Sequence, residues 1–135
     1  LQRQVRDLSI GGHVTFAGLV DNRRVALYYT AADAFVLPSL LEACPTVAVE
    51  ALASGTPVIS SDNPGGVELG RLFGDDVVVV RREDVAALAH AVIARLARPR
   101  RTLAASADAL DREFRPSVSA ARYAEIYRQA VATHG

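Results

Sequence analysis

The sequence predicts an α/β domain, a parallel sheet with crossover helices followed by an α-helical C-terminal tail. Three observations carry that prediction. Short β-rich runs stand at Ala34-Phe35-Val36-Leu37, Val58-Ile59-Ser60-Ser61 and Val77-Val78-Val79-Val80, and the first and last, wholly apolar, suit strands buried on both faces. Helical stretches with their own start and stop signals separate these runs, which is the alternation of a covered parallel sheet. Beyond Pro99 the periodicity is helical throughout.

Taken in order, residues 1–8 read as the end of a helix that Gly11-Gly12 stops. Residues 14–17 read as a first strand, closed by Gly18. Asp21 or Asn22 can cap a helix running to about Ala32, with Val25, Leu27, Tyr28 and Ala31 as its apolar surface. The strand at 34–37 stops at Pro38, and residues 39–44 form a loop. Pro45 suits the first position of a helix, and Gly55 suits the left-handed residue that ends one. Pro57 then opens the strand at 58–61. Asn63-Pro64-Gly65-Gly66 reads as a loop before a short helix at about 67–72, and 77–80 is the fourth strand. Glu83 or Asp84 caps an amphipathic helix whose stripe is Val85, Leu88, Ala89, Val92, Ile93 and Leu96; Pro99 breaks it. Two further helices, at about 101–114 and 116–132, are expected to bury Leu103, Leu110, Val118, Tyr123 and Tyr127.

Composition removes several classes of function. With 135 residues, half of them hydrophobic and 22% charged, the chain has the makings of one folded domain, 1–135, with a real core. Fifteen basic residues balance fifteen acidic ones, so there is no general attraction for nucleic acid or an anionic surface. A single cysteine, Cys44, rules out an internal disulfide framework and points to a reducing cytoplasm. No apolar run reaches the ~20 residues that a membrane span needs. His13, His90 and His134 have no ligand spacing with one another or with carboxylates, so no metal is expected. Arg95, Arg98, Arg100 and Arg101 read as a solvated turn between helices. With no methionine even at position 1, the chain reads as a processed or truncated piece.

In open parallel sheets ligands bind beyond the carboxyl ends of the strands. Three features fall there: residues 38–42, residues 62–66, and the start of the helix at Pro45. The first amides of that helix, Thr46 and Val47 among them, have no intrahelical acceptor and carry the positive end of its dipole, which suits a phosphate. Glu50, in the second turn, could accept two hydroxyl hydrogen bonds, as a ribose diol offers, and Glu42 lies on the preceding loop. Taken singly, each glutamate could equally be a dipole-offsetting or solvated carboxylate.

Taken together, Phe16-x-Gly18, Ala32-Asp33-x-Phe35-x-x-Pro38-Ser39-x-x-Glu42, Glu50-Ala51-x-Ala53-x-Gly55-x-Pro57-Val58 and Gly65-Gly66-Val67-Glu68 closely resemble the C-terminal domain of retaining GT-B glycosyltransferases, glycosyltransferase family 4 in particular. Seven residues separate Glu42 from Glu50, the E-x7-E spacing of that family. The resemblance implies a Rossmann-like parallel sheet, apparently without the domain's first strand–helix units. It implies transfer of a sugar from a nucleoside diphosphate sugar to an acceptor with retention at the anomeric carbon and no essential metal or other cofactor. Glu42 matches the glutamate facing the transferred sugar. Glu50 matches the one that binds the donor ribose, and the Thr46 and Val47 amides match those near the diphosphate. Ala43 and Cys44 stand where the family commonly has Gly-Phe, and Cys44 is expected to be a buried, inert thiol, with a reactive thiol beside the site as the alternative. Gly65 and Gly66 would allow close backbone approach to the donor or simply form a turn, and Glu68 would cap a helix or touch the donor.

The same resemblance implies that the acceptor is held by an N-terminal domain outside this chain. The family's Arg–Lys diphosphate clamp is also missing, since every basic residue here is arginine. Isolated catalysis is therefore not expected. The parent is expected in the cytoplasm, able to meet the inner face of the membrane peripherally, and exposed strands could support an oligomer. The rival readings are a non-catalytic nucleotide-binding or protein-interaction module derived from a GT-B domain, and a nucleotide-sugar epimerase.

Overall fold

The computed structural model describes residues 1–99 and 101–134. Its sheet has three strands, β1 (Phe35–Leu37), β2 (Val58–Ser61) and β3 (Val77–Val80), in the order β1-β2-β3 with both pairings parallel. Phe35 and Val77 both stand opposite Val58, so the carboxyl ends of all three strands finish side by side. Every residue of β2, the central strand, is buried. Between and after the strands lie helices α1 (Gln2–Asp7), α2 (Asn22–Ala31), α3 (Thr46–Ala53), α4 (Pro64–Phe73), α5 (Val85–Ala97), α6 (Ala104–Glu113) and α7 (Pro116–His134). The expected fold class, a Rossmann-like parallel sheet with helical crossovers and a helical tail, is the one observed.

The main core lies on one face of the sheet. Val58 and Val77 meet Ala48, Ala51 and Leu52 of α3 and Leu69 and Phe73 of α4, and Tyr29 of α2 and Ala109 of α6 close the sides. Local signals explain the boundaries. Asp21 caps α2 by accepting from the Arg23 and Arg24 amides, and Asp84 caps α5 through the Ala87 amide. Gly55, at φ +82°, ends α3, with its own amide donating to the Leu52 carbonyl and that of Thr56 to Ala51.

Several expectations are corrected. Residues 14–17 form no strand: their backbone pairs with none of β1–β3, and an isolated extended run is not a sheet. The Asn63-Pro64-Gly65-Gly66 stretch is not a loop but the start of α4, because Asn63 caps it and Pro64 occupies the first helical position. On α2 the inward residues are Val25 and Tyr29, one turn apart, while Leu27 and Tyr28 are exposed. On α5, Leu88, Ala91, Val92 and Arg95 turn inward and Val85, Ile93 and Leu96 face out, because the helix is apolar around most of its girth and the sheet ends at β3. Tyr123 and Tyr127 are exposed as a stacked pair with ring centroids 6.4 Å apart. Along α7 only Val118 and Ser119 are half-buried, so the rest of that helix has no core to enter among the described residues.

The tail is fastened by polar contacts. The fully buried Asp76 carboxylate accepts from the Leu103 amide at 2.7 Å and from the Ser106 hydroxyl, at the start of α6. Arg101 donates to the Ala32 and Ser54 carbonyls at 3.2 and 2.9 Å, and Arg95 to the Asp75 carbonyl. Two of the four arginines read as a solvated turn are thus structural staples, and Arg100 lies outside the described residues.

Candidate functional site

The loop after β1 carries Glu42, and three contacts hold its backbone. The Asn63 amide nitrogen donates to the Ser39 carbonyl at 2.9 Å while its oxygen accepts from the Gly66 amide at 2.8 Å. Arg82 donates to the Leu40 carbonyl at 3.2 Å and is itself paired with Asp62 at 3.0 Å. The Gly65 amide donates to the Glu42 carbonyl at 2.8 Å. The residue before α4 and the first turn of that helix therefore set the position of a loop more than twenty residues earlier, through a buried asparagine and two glycines.

The glycines serve that packing. A Cβ on Gly65 would lie 2.7 Å from the Pro45 ring and 2.9 Å from the Glu42 carbonyl oxygen. One on Gly66 would lie 2.0 Å from the Ser61 carbonyl oxygen and 2.7 Å from the Ser60 hydroxyl. Close approach of chain to chain accounts for both residues. Glu68, on the outer face of α4, is exposed and pairs with Arg71 at 3.8 Å.

At the start of α3 the amides differ. The Thr46 amide turns back onto the Cys44 carbonyl at 2.9 Å, whereas nothing among the described residues accepts from the Val47 amide. Ala43 and Cys44 are both exposed, so the buried thiol expected at Cys44 is corrected: the loop carries it outward past the strand ends. Glu42 is half-buried and Glu50 exposed.

Glu50 has one partner that sequence reading missed. The Tyr29 hydroxyl lies 3.4 Å from Glu50 Oε2, and the two line a recess of about 270 Å³ between α2 and α3 with Asn22, Val25, Ala26 and Ser54. Burial, and then the neighbouring Glu50 charge and hydrogen bond, raise the Tyr29 pKa above its ordinary value. The signal was present in the sequence, since Tyr29 stands four residues after Val25 and therefore on its face of α2. A second recess, about 230 Å³ between Leu40, Ser61, Val80 and Leu88 on the α5 side, holds none of the expected site residues. Asp62, beside it, has its pKa lowered, chiefly by the Arg82 backbone amide that donates to it at 2.8 Å. No group of three or more His, Cys, Asp or Glu placed to hold a metal ion occurs among the described residues.

Comparison with known proteins decides the family. Residues 1–109 match the family described as Glycosyl transferases group 1. The chain belongs to that family. Among its relatives, D-inositol 3-phosphate glycosyltransferase 2 of Catenulispora acidiphila is 35% identical over 133 residues, covering 97% of this chain and 31% of that protein. Phosphatidyl-myo-inositol mannosyltransferase of Mycobacterium leprae is 36% identical over 129 residues, covering 91% and 33%. Among solved structures, sucrose-phosphate synthase from Thermosynechococcus elongatus superposes with a TM-score of 0.85 at 34% identity, over 98% of this chain and 34% of that one. This group 1 chain thus spans about a third of the length of each of these relatives. No helix among the described residues is long and apolar enough to cross a membrane.

Proposed function

We propose that this chain is the donor-binding portion of a retaining glycosyltransferase of the family 4 kind, which moves a sugar from a nucleoside diphosphate sugar to an acceptor held by another domain. The observation that carries the reading is the segment after β1, which brings Glu42 and then the unpaired Val47 amide of α3 beyond the carboxyl end of that strand, where such sheets bind ligands. Membership of the group 1 family supports it.

In this reading Glu50 accepts from the ribose diol. The Val47 amide, at the positive end of α3, meets the diphosphate, where fixed donors help most as the leaving group gains charge. Thr46 stands beside it and joins by exchanging its bond to the Cys44 carbonyl for a phosphate oxygen. Glu42 faces the transferred sugar and stabilises positive charge at the anomeric carbon. Ala43 and Cys44 line the approach, and the α4 start with Gly65 and Gly66 sets where Glu42 stands. Glu68 is a peripheral contact that would have to leave Arg71. No resident metal or cofactor is assigned a role.

The test is an NMR titration of the chain with UDP, GDP and ADP, alongside Glu50→Ala. Shifts with one nucleotide around α2 and α3 are expected. The substitution should weaken binding roughly tenfold or more, since it removes one or two hydrogen bonds to a charge worth ~1.5–3 kcal/mol each. A well-dispersed spectrum that none of the three nucleotides moves would overturn the assignment and favour a protein-interaction module.

A further inference from the structure

Glu50 is an exposed side chain, and an exposed glutamate samples many rotamers that a ligand must then freeze. Tyr29 is the opposite. Its ring is buried in the core, packed edge-on against Phe35 with centroids 5.3 Å apart and planes at 89°. Its backbone is held as well, because its carbonyl accepts from the buried Thr56 hydroxyl and from the Ala32 amide. A fixed ring therefore delivers one hydroxyl to the edge of the core, and that hydroxyl lies 3.4 Å from Glu50 Oε2. Glu50 Oε1 accepts from nothing among the described residues.

We infer that Tyr29 is a positioning residue for Glu50: its core-anchored hydroxyl holds one carboxylate oxygen at the recess between α2 and α3 and leaves the other to accept from a vicinal diol. The inference rests on the reading of Glu50 as the carboxylate that meets the donor. At 3.4 Å the contact is longer than the ~2.5–3.0 Å of a settled O–H···O bond, so it is loose in the ligand-free chain and shortens as the carboxylate settles onto a ligand. Holding it beforehand reduces the freedom lost on binding, and so strengthens binding without a new contact to the ligand.

The experiment is a double-mutant cycle in nucleotide affinity. Tyr29→Phe keeps the ring and its core packing and removes only the hydroxyl. For whichever of UDP, GDP and ADP binds, it should raise Kd roughly three- to tenfold in the otherwise unchanged chain and leave Kd unaltered in the Glu50→Ala background. A merely structural tyrosine would lower the melting temperature and leave Kd alone, or would act equally in both backgrounds; either result overturns the inference while leaving the donor reading standing. Failure of the unmodified chain to bind any of the three would overturn both. A ligand-free measurement checks the tether itself: Glu50→Gln should lower the pH at which Tyr29 ionises, and an unchanged Tyr29 titration refutes it.

Discussion

Replacing Gly66 with alanine separates two roles for the paired glycines, room for a ligand and room for the chain itself. The added Cβ would stand 2.0 Å from the Ser61 carbonyl oxygen and 2.7 Å from the Ser60 hydroxyl, with the Ser61 carbonyl carbon at 3.2 Å. Ordinary van der Waals contact begins near 3.4 Å, so the end of β2 and the first turn of α4 must separate by more than an ångström. Both are backbone, and β2 is buried along its whole length, so neither can yield cheaply. Overpacking of a close-packed interior costs ~1–3 kcal/mol, and a clash with backbone belongs at or above the top of that range. Separation also breaks the bond from the Gly66 amide to the Asn63 side chain, a helix cap worth about 1 kcal/mol. The sum, about 3–4 kcal/mol, should lower the melting temperature by roughly 10 °C in a chain of this length. Thermal unfolding by circular dichroism reads it. Gly12→Ala, where a Cβ meets nothing within 4 Å, should leave the transition within ~2 °C and serves as the control. A Gly66→Ala chain that melts with the control and has lost only nucleotide binding would refute the packing argument.

Two further outcomes follow from the polar contacts. Asp76→Ala removes the buried acceptor for the Leu103 amide and the Ser106 hydroxyl, at about 3 kcal/mol; hydrogen exchange should show the α6 amides losing protection, and unchanged protection would contradict it. Asp62 has a pKa below its ordinary value of 3.8, so its contribution is complete above that value and is lost as the pH falls through the lowered one. The stability difference between the unmodified chain and Asp62→Asn should therefore be steady from neutrality to about pH 5 and shrink on further acidification. A difference that grows instead would reverse the assigned sign.

Legibility followed the range of the interaction. The β2 and β3 strands, the Asp84 cap and the Gly55 stop announce themselves within a few residues, and the structure keeps them. Where the outcome depended on a distant partner, local pattern failed. Residues 14–17 have strand composition but no neighbour to pair with among β1–β3. α5 offers apolar residues on several faces, and only its packing on β2 and β3 selects the line from Leu88 to Arg95. Of the candidate site, Glu42 and Glu50 stood out through the resemblance carried by the motifs around them, not through their spacing alone. Their supports did not: Asn63 reaches Ser39 and Gly65 reaches Glu42 across the fold, and Tyr29 reaches Glu50 from a helix whose local pattern points to Tyr28 instead.

The staple formed by Arg101 also bears on how the chain is made. Its guanidinium ties together the Ala32 and Ser54 carbonyls, partners 69 and 47 residues earlier, and Thr102 adds a bond to Gly55. Ala109 supplies one wall of the core. On the ribosome, β1, α3 and β2 emerge long before these groups exist, and closing contacts of such separation is slow. Until α6 has cleared the exit, Leu69 and Phe73, which share the core cluster with Ala109, lack that wall. Chaperone binding to stalled chains should accordingly persist through the synthesis of α5 and end once α6 is out.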